Sequence, residues 1–251
     1  MTVFYAPEVA FNNVLPKEES QHAIKVLRLK KGDKIVIVDG KGNGYLAEIL
    51  FPDSNHCEFE ILETLPDEGN VHYHLHIAIA PTKNVERFEW FVEKATEIGI
   101  HEITPIIGIH EITPIICKFS ERKMIKPERL EKIVISACKQ SMRAQFPVVH
   151  SLCSFQEVLT TYSAQQKFIA HCYTDQIMKE FDCVRKRNFL KNLIEPSTKI
   201  FILIGPEGDF SIDEVKTAIE KGFDPVSLGV GRLRTETAGI VACTTVALIN
   251  Q

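Results

Sequence analysis

The sequence predicts an α/β protein, with a small β-barrel first and then a larger layer of strands and helices around a mainly parallel sheet. Three observations carry this. Residues 1 to about 65 read as short strands separated by turn clusters, the pattern of a small barrel. From about residue 75, apolar strand-like runs alternate with stretches of helical spacing, which implies α/β layers. Ile200-Phe201-Ile202-Leu203-Ile204 is a continuous apolar run, typical of a strand covered on both faces.

Taken in order, Lys34–Val38 is rich in β-branched residues, and Asp39-Gly40-Lys41-Gly42-Asn43-Gly44 is a turn cluster. Tyr45–Leu50 returns from it, so the two runs make a hairpin. Cys57–Leu62 alternates polar and apolar residues as a half-buried strand does. Pro66–Asn70 reads as a linker, which places the domains at residues 1–69 and 70–251. Beyond it, Leu75, Ile77 and Ile79 share one face of a strand. Val85–Ile98 carries Phe88, Phe91, Val92, Ala95 and Ile98 at helical spacing, and Arg129–Met142 repeats this with Leu130, Ile133, Val134 and Ala137. Helices are expected over Ile212–Lys221 and Ala238–Ile249, and a short strand over Val226–Leu228.

A chain of 251 residues holds one large domain or two modest ones, and 45% hydrophobic with 25% charged residues is ordinary for a globular protein. No apolar run is long enough to cross a bilayer, and the first residues lack the basic and apolar regions of a signal peptide. Seven scattered cysteines without a C-x-x-C pair fit reduced thiols, so a cytoplasmic location without membrane attachment is expected. The net charge of −4 gives no bulk argument for a nucleic-acid partner. Lys25–Lys34 and Lys118–Arg143 are nevertheless locally basic, which together suits a positioned polyanion; either patch alone reads better as a solvated face. Gly99–Ile107 is repeated at once as Gly108–Ile116. Two nine-residue copies build no solenoid, so one copy should fill a strand and the other loop out, and their identical chemistry does not say which.

The strongest local signal is Ile204-Gly205-Pro206-Glu207-Gly208-Asp209-Phe210-Ser211, where a buried strand ends in a glycine-rich turn before a helix. Ser211 and Glu214 form a capping box that fixes the helix start. Gly205 and Gly208 would let a ligand approach the backbone, and strand carboxyl ends are where ligands sit in open α/β sheets. The G-K-[ST] ending of a phosphate-binding P-loop is absent. The second signal is Leu228-Gly229-Val230-Gly231-Arg232-Leu233-Arg234-Thr235-Glu236-Thr237-Ala238, a glycine loop followed by two arginines and a polar helix start. Thr235 or Thr237 could cap that helix, and the arginines suit an anionic or planar ligand. By spacing alone each loop is equally a plain turn; their joint occurrence favours a site.

Together, G-P-E-G-x-F-S-x-x-E at 205–214 and L-G-x-x-x-L-R-x-E-T-A at 228–238 resemble the paired signature of the bacterial 16S ribosomal RNA uridine-N3 methyltransferase family, in the SPOUT superfamily. His22–Val38 is similar to that family's PUA-like RNA-binding barrel, and Lys94-Ala95-Thr96-Glu97-Ile98-Gly99 to one of its helix ends. Ser120-Glu121-Arg122 and Gln140-Ser141-x-Arg143 with Pro147 also match. The family departs from this chain at Val3, where it carries arginine, at Asp209, where it carries glycine, and at Lys139, where it carries glutamate.

The resemblance implies a SPOUT-type α/β catalytic domain with a C-terminal trefoil knot, a homodimer, and S-adenosylmethionine as methyl donor. Leu203, Ile204, Gly205, Pro206, Glu207 and Gly208 from the first loop are then the donor-binding residues, with Leu228, Gly229, Leu233, Arg234, Thr235, Thr237 and Ala238 from the second. Arg234 is expected at the reacting uracil; Glu236 would orient it or accept a proton, or would simply complement the helix N-terminus. Lys25, Arg28 and Lys30 on the barrel, with Arg122, Lys123 and Arg143 on the catalytic domain, would contact the phosphates of 16S ribosomal RNA. The rival readings are a ribose 2′-O-methyltransferase of the same superfamily and a non-catalytic RNA-binding assembly factor.

Three further features receive duller readings. His72, His74 and His76 alternate along a strand, but no carboxylate or cysteine partner is evident, so no metal is expected. Trp90 is expected on the dimer or core side of its helix, and Cys243 as buried packing rather than a nucleophile.

Overall fold

The computed structural model describes residues 1–65, 71–107, 126–181 and 185–251. The chain divides into two compact units, one formed by Met1–Asn70 with Val134–Phe146, the other by Val71–Ile133 with Pro147–Gln251.

The first unit contains β1 (Val3–Tyr5), the short helix α1 (Lys17–Gln21) running into a π-turn over His22–Val26, then β2 (Lys34–Val38), β3 (Gly44–Phe51) and β4 (Glu58–Leu65). The anticipated hairpin is there: β2 and β3 pair antiparallel, with Ile37 opposite Tyr45. Asp39 holds its turn by accepting from the backbone N–H groups of Lys41 and Asn43. The four strands lie in the order β1-β2-β3-β4. They cover one apolar core containing Phe4, Leu15, Ile35, Ile37, Ile49 and Phe59. The expected barrel is thus seen as one four-stranded sheet, and no β1–β4 pairing is found among the described residues.

The second unit opens with β5 (His74–Ile79), α2 (Val85–Ile98) and β6 (Glu102–Ile107). The helix α2 has the anticipated bounds; Asn84 caps its start and Gly99, at φ +125, ends it. Next come α3 (Pro127–Gln140), β7 (Val148–Val149), β8 (Cys153–Ser154), α4 (Phe155–Thr161), β9 (Gln166–Ala170), α5 (Asp175–Glu180) and β10 (Asn188–Phe189). The chain closes with β11 (Lys199–Ile204), α6 (Ile212–Glu220), β12 (Asp224–Ser227) and α7 (Thr235–Ile249). The strand order is β10-β12-β9-β11-β5-β6-β7, with β8 also beside β6, and every pairing is parallel. Helices pack on the sheet: α7 lies on α2, β5 and β11, while Phe155, Val158, Val215 and Ala218 of α4 and α6 share a core with Ala78 and Leu203. Coverage of both faces explains why β11 reads as an unbroken apolar run.

The first copy of the nine-residue repeat supplies β6; the second, residues 108–116, lies outside the described residues. The strand β5 begins at His74, so His72 precedes it and does not share its face. Trp90 is 44% exposed, so it is not a core residue of the protomer. Cys243 is fully buried, as anticipated for packing, and burial pushes its thiol pKa up.

Candidate functional site

The strands β9, β11 and β12 all run the same way, so their carboxyl ends deliver three loops to one edge of the sheet. The loops after β11 and β12 are the two glycine motifs. Between them lies a cavity of about 340 Å³, within the range of small-molecule sites.

The first loop is shaped by its own chemistry. Ser211 and Glu214 form the anticipated reciprocal cap at the start of α6, at 3.2 and 2.7 Å. Gly205 must stay small: a Cβ there would stand 3.1 Å from both the backbone N and the ring of Phe210, a buried core residue. Gly208 has nothing within 4 Å of such a Cβ, so packing within the protein does not require glycine there. Asp209 sits at φ +72, a left-handed conformation costing an ordinary residue about 1–2 kcal/mol. Its carboxylate offsets this by accepting from its neighbour Phe210 N at 2.8 Å and from Cys172 N at 2.7 Å, which ties the loop after β9 to the first motif. That conformation is why a glycine also suits the position.

The second loop is tied to the first at two points. Thr235 Oγ1 donates to the Gly205 carbonyl at 3.0 Å, with Thr235 buried. Arg232 reaches the Glu207 carbonyl at 3.4 Å. Neither Thr235 nor Thr237 caps α7 through its side chain; the cap position is Arg234, whose extended backbone turns the chain into the helix. The helix starts at Thr235, three residues before the expected Ala238, directly after the extended backbone of Arg234.

Of the anticipated donor-binding residues, Ile204, Gly205, Pro206, Glu207, Leu228 and Gly229 line the cavity, as do Leu233, Thr235 and Ala238. Leu203, Gly208, Arg234 and Thr237 are outside its lining. Leu203 is fully buried in the core between sheet and helices. Of the two motif arginines, Arg232 and not Arg234 lines the cavity. Glu236 is buried, with its carboxylate 3.9 Å from the Arg87 guanidinium of α2.

Sequence reading missed the third wall: Ala170, His171 and Cys172 after β9, with Arg187 and Asp209. Arg187 donates to the His171 carbonyl at 2.7 Å. His171 is 5% exposed, and neither ring nitrogen has a hydrogen-bond partner among the described residues. Burial pushes its pKa down to about 4, so the ring is neutral at pH 7, with one nitrogen a donor and the other an acceptor. No motif marked these residues, since only the parallel pairing of β9 with β11 brings them to the edge.

Of the anticipated RNA contacts, Lys25, Arg28 and Lys30 are exposed on the first unit, Arg28 at φ +57. Arg143, expected on the catalytic domain, belongs to the first unit, because the end of α3 packs there: Lys139 pairs with Glu19 at 2.7 Å, and Gly42 N donates to the Ala144 carbonyl. Arg122 and Lys123 lie outside the described residues.

An α/β unit with a small-molecule cleft at its strand carboxyl ends, joined to a small β-sheet unit with a basic face, is the class of protein these features define. A family model described as an RNA methyltransferase domain matches residues 69–247, and one described as an RNA methyltransferase PUA domain matches residues 15–62. The chain belongs to the ribosomal RNA small subunit methyltransferase E family of RNA methyltransferases. The member from Rickettsia conorii is 30% identical over 239 residues, 94% of this chain and 89% of that protein. The crystal structure of a "probable rRNA-methyltransferase" from Porphyromonas gingivalis has a TM-score of 0.86 at 39% identity, covering 100% of this chain and 98% of that one. A ribosomal RNA small subunit methyltransferase E from Neisseria gonorrhoeae, solved bound to S-adenosyl methionine, has a TM-score of 0.79 at 27% identity, covering 99% and 98%.

Proposed function

We propose that this chain methylates N3 of a uridine in the 16S ribosomal RNA of the small subunit, with S-adenosylmethionine as donor. The observation that carries the reading is the cavity between the two motif loops, in a chain whose relative of the same family binds that donor. The residues fit such a ligand. Loop backbone at Gly205–Glu207 and Leu228–Gly229 offers polar groups, Pro206 and Leu233 offer apolar surface, and His171 holds unpaired nitrogens. Leu203, Gly208 and Thr237, which the motif also assigns to the donor, stand outside the cavity lining.

When bound, S-adenosylmethionine supplies an electrophilic methyl group on a sulfonium. The protein's part is to place the uracil in line and to stabilise charge as N3 loses its proton. We assign the stabilisation of the uracil oxygens to Arg234, the exposed residue at the turn into α7. Glu236, two residues on, is assigned as its orienting group or as the proton acceptor. Its pairing with Arg87 supports a second part in seating α7 on α2. The chemistry needs no metal in the cleft, because the departing sulfide is already an excellent leaving group. N3 lies on the pairing edge, so the target base must be unpaired or extruded.

The domain division at residues 1–69 and 70–251 is supported by the limits of the two family models. RNA contact through Lys25, Arg28, Lys30 and Arg143 is supported by their placement in the PUA-bearing unit, with Arg122 and Lys123 assigned by sequence alone. A trefoil knot fits a chain in which β11 inserts between β9 and β5 and α7 returns onto both β5 and β11. A homodimer would cover Trp90 and Leu248, exposed on α2 and α7. No helix among the described residues is long and apolar enough to cross a membrane, and the proposed action on ribosomal RNA supports a cytoplasmic location.

The test is equilibrium binding of S-adenosylmethionine together with turnover on small subunits. Arg234→Ala should bind the donor within about threefold of the parent, yet lose turnover by two orders of magnitude or more, on the order of 3 kcal/mol. Full activity of Arg234→Ala would remove its assigned role, and absence of donor binding by the parent would favour the assembly-factor reading.

A further inference from the structure

Toward the starts of β5 and β6, away from the strands that carry the cleft, lies a second group of chemistry-bearing side chains, unused by methyl transfer. The parallel register sets His76 of β5 beside Glu102 of β6, and Glu102 beside Val148 of β7. His150, just beyond β7, is anchored by its backbone N–H on the Ile103 carbonyl at 2.8 Å. Three histidines therefore converge on one carboxylate. Glu102 Oε1 is 2.6 Å from His74 Nε2, and its Oε2 is 2.6 Å from His150 Nε2 and 3.9 Å from His76 Nδ1. One donor atom each from His76, Glu102 and His150 lie within 4.8 Å of one another.

We propose that His76, Glu102 and His150, with His74 at the rim, bind one divalent transition-metal ion, zinc by preference. Two imidazoles and a carboxylate form an established three-ligand zinc set that leaves a fourth position. His74 stands at the rim, on the other oxygen of Glu102. Two imidazoles with one carboxylate suit zinc and its first-row neighbours, whereas magnesium and calcium take oxygen ligands. The outer contacts are those of a ligating histidine. His76 Nε2 is 2.8 Å from Thr104 Oγ1, which fixes the ring and leaves Nδ1 toward Glu102. Access is graded: the His76 side chain is 6% exposed, while Glu102, His150 and His74 are 24%, 27% and 38% exposed, so an ion can enter from solvent. The cluster lies toward the starts of β5 and β6, whereas the donor cleft lies at the carboxyl ends of the parallel strands β9, β11 and β12, and none of the cluster's residues lines it. The ion would thus clamp the starts of β5 and β6 and the end of β7, without taking part in methyl transfer. The sequence hid this because the missing carboxylate partner, Glu102, is 26 residues beyond His76 and becomes its neighbour only through sheet pairing.

The test uses the full chain without an affinity tag, stripped with a chelator, dialysed and titrated with zinc chloride against a chromogenic competitor. One equivalent should bind, and the unfolding midpoint should rise with zinc. Glu102→Gln and His150→Ala should each weaken binding by about tenfold or more and abolish the rise in midpoint. X-ray absorption at the zinc edge of the unaltered protein should show only nitrogen and oxygen donors, a readout independent of whether any variant folds. No saturable site, binding unchanged in both variants, or sulfur in the zinc shell would each overturn the proposal, the last by assigning the ion to cysteines.

Discussion

Thr235→Val isolates the contact that joins the two motif loops. Valine keeps the volume and branching of threonine but cannot donate to the Gly205 carbonyl, which the hydroxyl now meets at 3.0 Å. Thr235 and Gly205 are both buried, so water cannot readily replace the lost partner. Removing one side of a buried hydrogen bond costs about 1–3 kcal/mol. At about 2–4 °C per kcal/mol for a chain of this length, the unfolding midpoint should fall by about 2–12 °C. Because the same contact sets the separation of the cleft walls, a comparable share of the energy should be lost from ligand binding. S-adenosylmethionine affinity should then fall roughly tenfold. The assays are calorimetric unfolding and equilibrium titration with the donor. Thr237→Val is the control: two residues on and outside the cavity lining, it should change stability by less than about 0.5 kcal/mol and leave affinity unchanged. If Thr235→Val melts with its parent, or if both variants behave alike, the loop-to-loop contact does not organise the cleft.

Two further outcomes follow from the same geometry. Gly205→Ala forces a methyl against Phe210 and should cost about 1–3 kcal/mol by thermal unfolding, whereas Gly208→Ala has open space and should be neutral in stability. A loss of donor affinity in Gly208→Ala without loss of stability would place ligand against that residue. His171 is held neutral in the fold, with its pKa near 4 against 6.5 when unfolded. Between those values the unfolded chain binds the proton and the folded one resists it, so stability should fall as pH drops from 6.5 to about 4. The full interval is worth up to about 3 kcal/mol. Urea titrations at several pH values should show a shallower fall in His171→Gln, and parallel curves for the two proteins would refute the assignment.

The elements readable from sequence were those with a strong local pattern. The α2 helix emerged with its bounds because Asn84 and Gly99 punctuate a regular apolar stripe, and the Ser211–Glu214 cap fixed α6. The short strands β7, β8 and β10 carry too few residues for periodicity to act, and β9 carries no turn signal at its end. The site divided in the same way. Glycine loops are local chemistry and were visible; the wall of His171, Cys172 and Arg187 depends on β9 lying beside β11 and was not. Arg234 drew attention by its motif, while the folded cleft is lined by Arg232 and Arg187, and Arg234, at the turn into α7, stands outside that lining. Asp209 read as a departure from the family pattern, and its left-handed backbone with two accepted hydrogen bonds gives the physical reason it is tolerated.

The decisive measurement is nucleoside mass mapping of 16S ribosomal RNA from small subunits incubated with this protein and methyl-labelled S-adenosylmethionine. One labelled nucleoside is expected, N3-methyluridine, absent from reactions with Arg234→Ala. Label on a ribose oxygen, or no label despite donor binding, would contradict the proposed chemistry.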